Sequence, residues 1–192
     1  MRHFLTYNMG IYKIITDVRS YQWLLPDIGN SSLLDLMTFD CNSKKYNWPK
    51  IKWYPYDTSK KAGNFYSLGG VGAFAFDSKV YESEIFSLLE MAGEILPIDA
   101  GGEVLYVLNV LECVNMLDHQ SSKWHLYDDG SKGRILEYRF HENCITESSI
   151  FKIPETCKGE ILTYCNVKSK YDEFRYLYDE LKFSGLTFEK LN

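Results

Sequence analysis

Hydrophobic positions along the chain follow two periods, and the change from one to the other divides the sequence. In residues 1–76 the apolar runs are short and strand-like, Ile11 to Ile15 and Ile51 to Tyr54. Polar turn material separates them, Asp27-Ile28-Gly29-Asn30-Ser31-Ser32 and Asn42-Ser43-Lys44-Lys45. From Asp77 the spacing becomes helical: Tyr81, Ile85, Leu88, Leu89 and Ala92 fall on one stripe of a helix. Asp77 or Ser78 supplies a short side-chain oxygen that can accept from an unpaired amide of the first turn, and Pro97 is expected to end the segment. The next block, Glu103 to Leu111, is β-branched and almost continuously apolar, as in a strand covered on both faces, and is the candidate central strand.

After a polar loop, Asp118 to Gly133, three short runs (Ile135 to Phe140, Ser149 to Ile153 and Glu160 to Tyr164) are split by turns and suit an antiparallel meander. In the first of them Leu136, Tyr138 and Phe140 alternate with Glu137 and Arg139, so one face is buried and one wet. Phe174, Leu177, Tyr178 and Leu181 make a second helical stripe, which Gly185 closes with Leu186 packing back. The expected fold is α+β: a mostly antiparallel sheet with helices packed on one side. It forms one domain, 1–192, with a strand- and loop-rich lobe over 1–76 and an α+β lobe over 77–192.

Composition narrows the function. With 45% hydrophobic residues in a chain of 192, a sizeable core is available, which excludes a disordered tail or a disulfide-dense miniature. The 15 Tyr, 11 Phe and 4 Trp exceed what one core needs, leaving aromatic surface for recognition. A net charge of −5 argues against a nucleic-acid binder with a basic face. The charge is uneven: residues 1–76 hold 9 basic and 5 acidic side chains, residues 77–147 hold 5 and 14, and residues 148–192 hold 7 of each. If the acidic middle shares a face, it would steer a cationic partner. Cys41, Cys113, Cys144, Cys157 and Cys165 have no C-x-x-C spacing, which indicates neither a disulfide framework nor a zinc ribbon and fits a reducing cytoplasm. The N-terminus lacks a secretory apolar stretch, and Val104 to Leu108 is too short to span a bilayer, so neither export nor membrane insertion is expected.

Gly69-Gly70-Val71-Gly72-Ala73-Phe74-Ala75 contains G-x-G-x-x-A, but the helix signal starts only near Ser78 and no βαβ alternation follows, so a glycine turn is the better reading. The densest chemistry is Asp118-His119-Gln120-Ser121-Ser122-Lys123-Trp124-His125, where a carboxylate, two imidazoles and two hydroxyls could serve a small hydrolase or a metal-binding enzyme. The alternative is a structural loop in which Asp118 and Ser121 bond backbone amides. Cys113 could pair with either histidine as a nucleophile, yet it ends an apolar strand and reads as a packing residue. Glu82/Glu84 and Asp128/Asp129 carry no specific signature. Trp124 and Tyr127 beside Asp128-Asp129-Gly130 combine large contact surfaces with negative charge, the chemistry of a protein-binding loop. The candidate partner-binding residues are therefore Trp124, Tyr127, Asp128, Asp129, Asp118 and His125; no catalytic residue, cofactor or metal is assigned.

The second half also carries an ordered set of motifs: Glu94-Ile95-Leu96-Pro97, Leu105 to Leu111, Val114-Asn115-Met116-Leu117-Asp118, Ser121 or Ser122, Ile150-Phe151-Lys152-Ile153, and Phe183-Ser184-Gly185-Leu186-Thr187-Phe188. Their order and spacing over residues 60–192 resemble immunity-protein family eleven of bacterial polymorphic toxin systems, formerly a domain of unknown function. Asn64-Phe65 stands where many relatives carry Asp-Phe, and Asn115 where an acidic residue is common, so any role of those two carboxylates does not transfer. The resemblance implies a non-enzymatic cytoplasmic protein that binds and blocks a cognate toxin, with no family catalytic residues to carry over. An acidic face would suit a cationic toxin such as a nuclease.

Overall fold

A computed structural model describes residues 10–27, 38–69, 72–141, 148–165 and 170–191. Residues 1–8, the turn from 28 to 32, Gly70, Val71 and Cys144, all noted above, lie outside the described residues. Among the described residues strand content is 42% against 14% helix, so sheets carry the architecture. The strands are β1 (Gly10–Thr16), β2 (Trp23–Pro26), β3 (Lys52–Tyr56), β4 (Phe65–Ser67), β5 (Ala73–Phe76), β6 (Gly93–Ala100), β7 (Glu103–Val110), β8 (Lys123–Leu126), β9 (Lys132–Glu137), β10 (Ile150–Phe151), β11 (Ile161–Cys165) and β12 (Leu186–Lys190). Among the described residues three short α-helices join them, α1 (Ser78–Tyr81), α2 (Phe86–Ala92) and α3 (Phe174–Glu180).

Six strands form one sheet in the order β2-β3-β6-β7-β5-β4. The apolar run read as the central strand is β7, which pairs antiparallel with β5 on one edge and β6 on the other. Alternation sends Leu105 and Val107 into a cluster with Leu24, Trp53, Leu96 and Ile98 on one face. Leu108 and Val110 enter a second cluster on the other face, together with Phe74, Phe76, Val80, Leu89, Phe174 and Leu177. Burial on both sides explains why β7 is apolar almost throughout. The sheet is mixed, because Lys52 and Trp53 of β3 pair parallel with Asp99 and Ala100 of β6.

A second, antiparallel sheet runs β10-β11-β1-β12. Its β1 comes from the N-terminal part of the chain and lies between two strands from the C-terminal part. Strands β2 to β5, in turn, share the large sheet with β6 and β7, so residue 76 is not a boundary between sheets. Phe65, fully buried, sits where the pieces meet: its ring contacts Phe74, Phe76, Phe174, Tyr178 and Phe183. Much of the aromatic surplus is therefore core rather than surface.

Four local expectations are corrected. The stripe from Tyr81 to Ala92 is two helices, separated by turns that close through Ser83 N–H to Val80 O and Phe86 N–H to Ser83 O. Asp77 does cap the first, its carboxylate accepting from Val80 N–H at 3.0 Å. Pro97 does not end a helix but lies within β6, on the stretch paired with β7 and short of the two residues that meet β3, so its missing N–H breaks no ladder there. The expected meander divides: β10 and β11 form a hairpin, whereas Ile135 to Glu137 pair with β8 in a separate two-stranded sheet. Helix α3 closes at Lys182 rather than Gly185. Lys182 takes a left-handed φ of 57°, and Phe183 N–H reaches Tyr178 O at 3.1 Å, the long bond of a Schellman turn. Gly185 has a different reason to be glycine: a Cβ there would lie 2.1 Å from the Phe65 carbonyl oxygen.

Candidate functional site

The polar stretch from Asp118 to Gly133 is a hairpin and its base. Tyr127 N–H donates to Ser131 O and Gly130 N–H to Tyr127 O, with Gly130 at a φ of 79° that suits a residue without a Cβ. The Asp129 carboxylate accepts from Ser131 N–H at 2.9 Å and from its hydroxyl at 2.6 Å. At the base, Asp118 accepts from the Ser121 hydroxyl at 2.7 Å and from the Gln120 and Ser121 amides. Bonds from Ser121 hold the Asp118 carboxyl below its ordinary range, and Ser131 does the same for Asp129. Both carboxylates are thus turn-forming groups, the structural reading allowed for Asp118.

The aromatic residues are placed differently. Trp124 packs beside the cluster of Ile11, Met116, Leu117, Phe151, Ile153 and Leu162 with one side left open. The His119 ring stacks on it at 5.6 Å, and the Lys132 ammonium lies 4.9 Å from its ring centroid. His119 Nε2 is 2.7 Å from Glu155 Oε1, and the Glu155 side chain is only 7% exposed. Tyr127 is exposed and meets His125 edge to face at 5.2 Å. Asp128 is exposed at the hairpin tip.

Trp124 and Tyr127 line a groove of about 1050 Å³ between the hairpin, the end of β12 and the turn from Glu155 to Glu160. Asp118, His125, Asp128 and Asp129 are not among its lining residues. Inside it, Tyr138 Oη–H donates to Glu160 Oε2 at 2.7 Å and Lys13 Nζ lies 2.5 Å from Glu160 Oε1. Burial and that bond raise the Tyr138 hydroxyl above its ordinary value. Lys123 and Arg139 both reach Glu137, at 2.7 and 3.8 Å. The Lys123 contact keeps the Glu137 carboxyl low.

Glu94 and Asp99 stand five residues apart on β6, about 17 Å at strand rise. Glu94 is occupied by Ser43, Lys44 and Asn109. Of the residues named for the hydrolase or metal alternative, His119 meets Glu155 and Trp124, His125 meets Tyr127, and Asp118 is bonded within its own turn. Among the described residues no three His, Cys, Asp or Glu side chains are grouped as metal ligands, and no helix is long and apolar enough to cross a membrane.

Sequence reasoning missed Glu155, Glu160, Tyr138, Lys13, Arg134 and Lys190 as groove residues. Only β9 carried a usable signal, exposed Lys132 and Arg134 alternating with half-buried Gly133 and Ile135; Leu136, expected on the buried face of Ile135 to Phe140, is instead exposed. The others come from segments far away in sequence. Neither a protein-family model nor a curated protein matches this chain, so a functional reading rests on the motif order and on this groove.

Proposed function

We propose that the chain is an immunity-type protein: a non-enzymatic cytoplasmic inhibitor that binds a cognate bacterial toxin and occludes its active site. The observation that carries the reading is the β8–β9 hairpin, whose residues are exposed or half-buried throughout and whose Trp124 and Tyr127 border a groove large enough for a partner's segment. A pair of strands so open to water contributes little to a core, while aromatic anchors next to charged rims are what hot spots are made of. The motif order from Glu94 to Phe188 supports the same reading. In this proposal the three helices form a layer on one side of the large sheet, as their shared cluster with β4, β5 and β7 suggests, and leave the hairpin side for the partner.

Co-expression with the toxin domain encoded next to this chain tests it, scoring survival and co-purification. Rescue with a one-to-one complex is expected. Rescue without a complex, or no rescue, overturns the proposal.

A further inference from the structure

The lining of the groove does not match the cationic partner expected from sequence. Five cations border it, Lys13, Lys132, Arg134, Arg139 and Lys190, against Glu137, Glu155, Glu160 and Glu189. Most of the carboxylates are engaged: Glu160 by Lys13 and Tyr138, Glu137 by Lys123 and Arg139, Glu155 by His119. Lys132, Arg134 and Lys190 have no carboxylate within ion-pair distance among the described residues, and all three are exposed. On a chain whose net charge is −5, the groove therefore holds unmatched positive charge. Lys132 and Arg134 stand two apart on β9, so their side chains recur about 7 Å apart along one face. Among the described residues β9 pairs with β8 alone, and its other edge has no strand partner there. Tyr127 and Leu136, both more than half exposed, add apolar contact.

We infer that this groove receives an extended, acidic protein segment of the partner, laid along β9. Alternate carboxylates of the segment meet Lys132 and Arg134, a further acid meets Lys190, and an apolar side chain of the segment rests between Tyr127 and Leu136. Open-edge strand addition supplies main-chain bonds, and the side chains select the sequence. A nucleic-acid strand fits less well, because a uniform line of phosphates would also pass Glu137, Glu155, Glu160 and Glu189. The inference rests on reading the hairpin side as the partner-binding face, and it reverses the charge expected of the part of the partner that docks there.

The test is to pan a library of random 12-residue peptides on the full chain, then measure fluorescence anisotropy of a labelled enriched peptide. Selected peptides should carry acids at alternate positions beside an apolar residue and bind more weakly as salt rises. Lys132→Glu/Arg134→Glu/Lys190→Glu should weaken them at least tenfold with unchanged thermal unfolding. The neutral version, Lys132→Gln/Arg134→Gln/Lys190→Gln, should fall between. No enrichment, enrichment of basic or uncharged peptides, binding indifferent to both triple variants, or displacement of the peptide by a 20-nucleotide single-stranded DNA overturns the inference. A toxin complex that forms while panning fails leaves the proposed function standing and removes only the acidic segment. Peptides that are selected while no toxin complex forms do the reverse.

Discussion

The β6–β7 and β8–β9 hairpins are both antiparallel pairs of neighbouring strands, yet they are built to opposite ends. β7 is an inner strand whose last four residues, Val107 to Val110, are all buried, and a Cβ at Gly93, its partner's first residue, would lie 2.0 Å from Asn109 O. β8 and β9 have no fully buried residue, two irregularities in their register and one aromatic anchor, Trp124, reaching toward the core. At Gly93, against the buried end of β7, no added atom is tolerated. A wet pair is free to choose side chains for what they contact outside the chain.

That contrast can be broken most severely at the core. Gly185→Ala drives a methyl into the Phe65 carbonyl at a φ of 104° and is expected to cost more than about 4 kcal/mol, read by urea unfolding. Phe65→Ala empties the centre of five ring contacts and should cost about 3–5 kcal/mol. A value near zero for either would mean that the two sheets do not share this core.

Lys152 sharpens the comparison with a titration. It is fully buried, its ammonium donates to Phe39 O at 2.6 Å, and burial pulls its pKa down to about 8. Between pH 8 and its ordinary value near 10.5 the unfolded chain holds a proton that the fold has released, so its contribution to stability rises with pH across that window. The Cys41 and Cys165 thiols, pushed up to about 11 by burial, act in the opposite sense above pH 9. The comparison that brings out Lys152 is therefore wild type against Lys152→Met, in which Cys165 cancels while Cys41, which the Lys152 charge holds down, is changed as well: from pH 8 to 10.5 the wild type should gain on the variant by up to about 3 kcal/mol. A difference independent of pH would contradict the buried charge.

Asn64 carries a smaller effect. Its amide donates to Asp77 Oδ2 at 2.9 Å while its carbonyl accepts from the Ser184 amide and hydroxyl. Asn64→Asp would set two carboxylates together and should cost about 1–2 kcal/mol at pH 7, with the loss recovered on acidification. On the hairpin, Asp128→Ala should change stability by less than about 0.5 kcal/mol.

What could be read from the sequence follows the same division. β7, the Asp77 cap and the helical stripes were legible because burial on a regular element leaves a period. Two short helices in place of one were not, because the apolar stripe continues across the turns at Ser83 and Phe86. Pro97 misled because proline stops a helix as firmly as it fits a strand stretch with a free edge. At the site, Trp124 and Tyr127 were legible as aromatics near charge. Glu155, Lys13 and Lys190 were not, since only the pairing of β1 with β11 and β12 brings their segments together.

The most direct test of the hairpin as the recognition surface is the dissociation constant of the toxin complex for Trp124→Ala/Tyr127→Ala against wild type, with thermal unfolding measured on both. Weakening by at least tenfold, about 1.4 kcal/mol, with the double variant still folded at the assay temperature although the loss of Trp124's core contacts lowers its unfolding point, is the expected result. An unchanged constant, with binding lost instead on Tyr54→Ala/Tyr56→Ala of the exposed β3 surface, would contradict it.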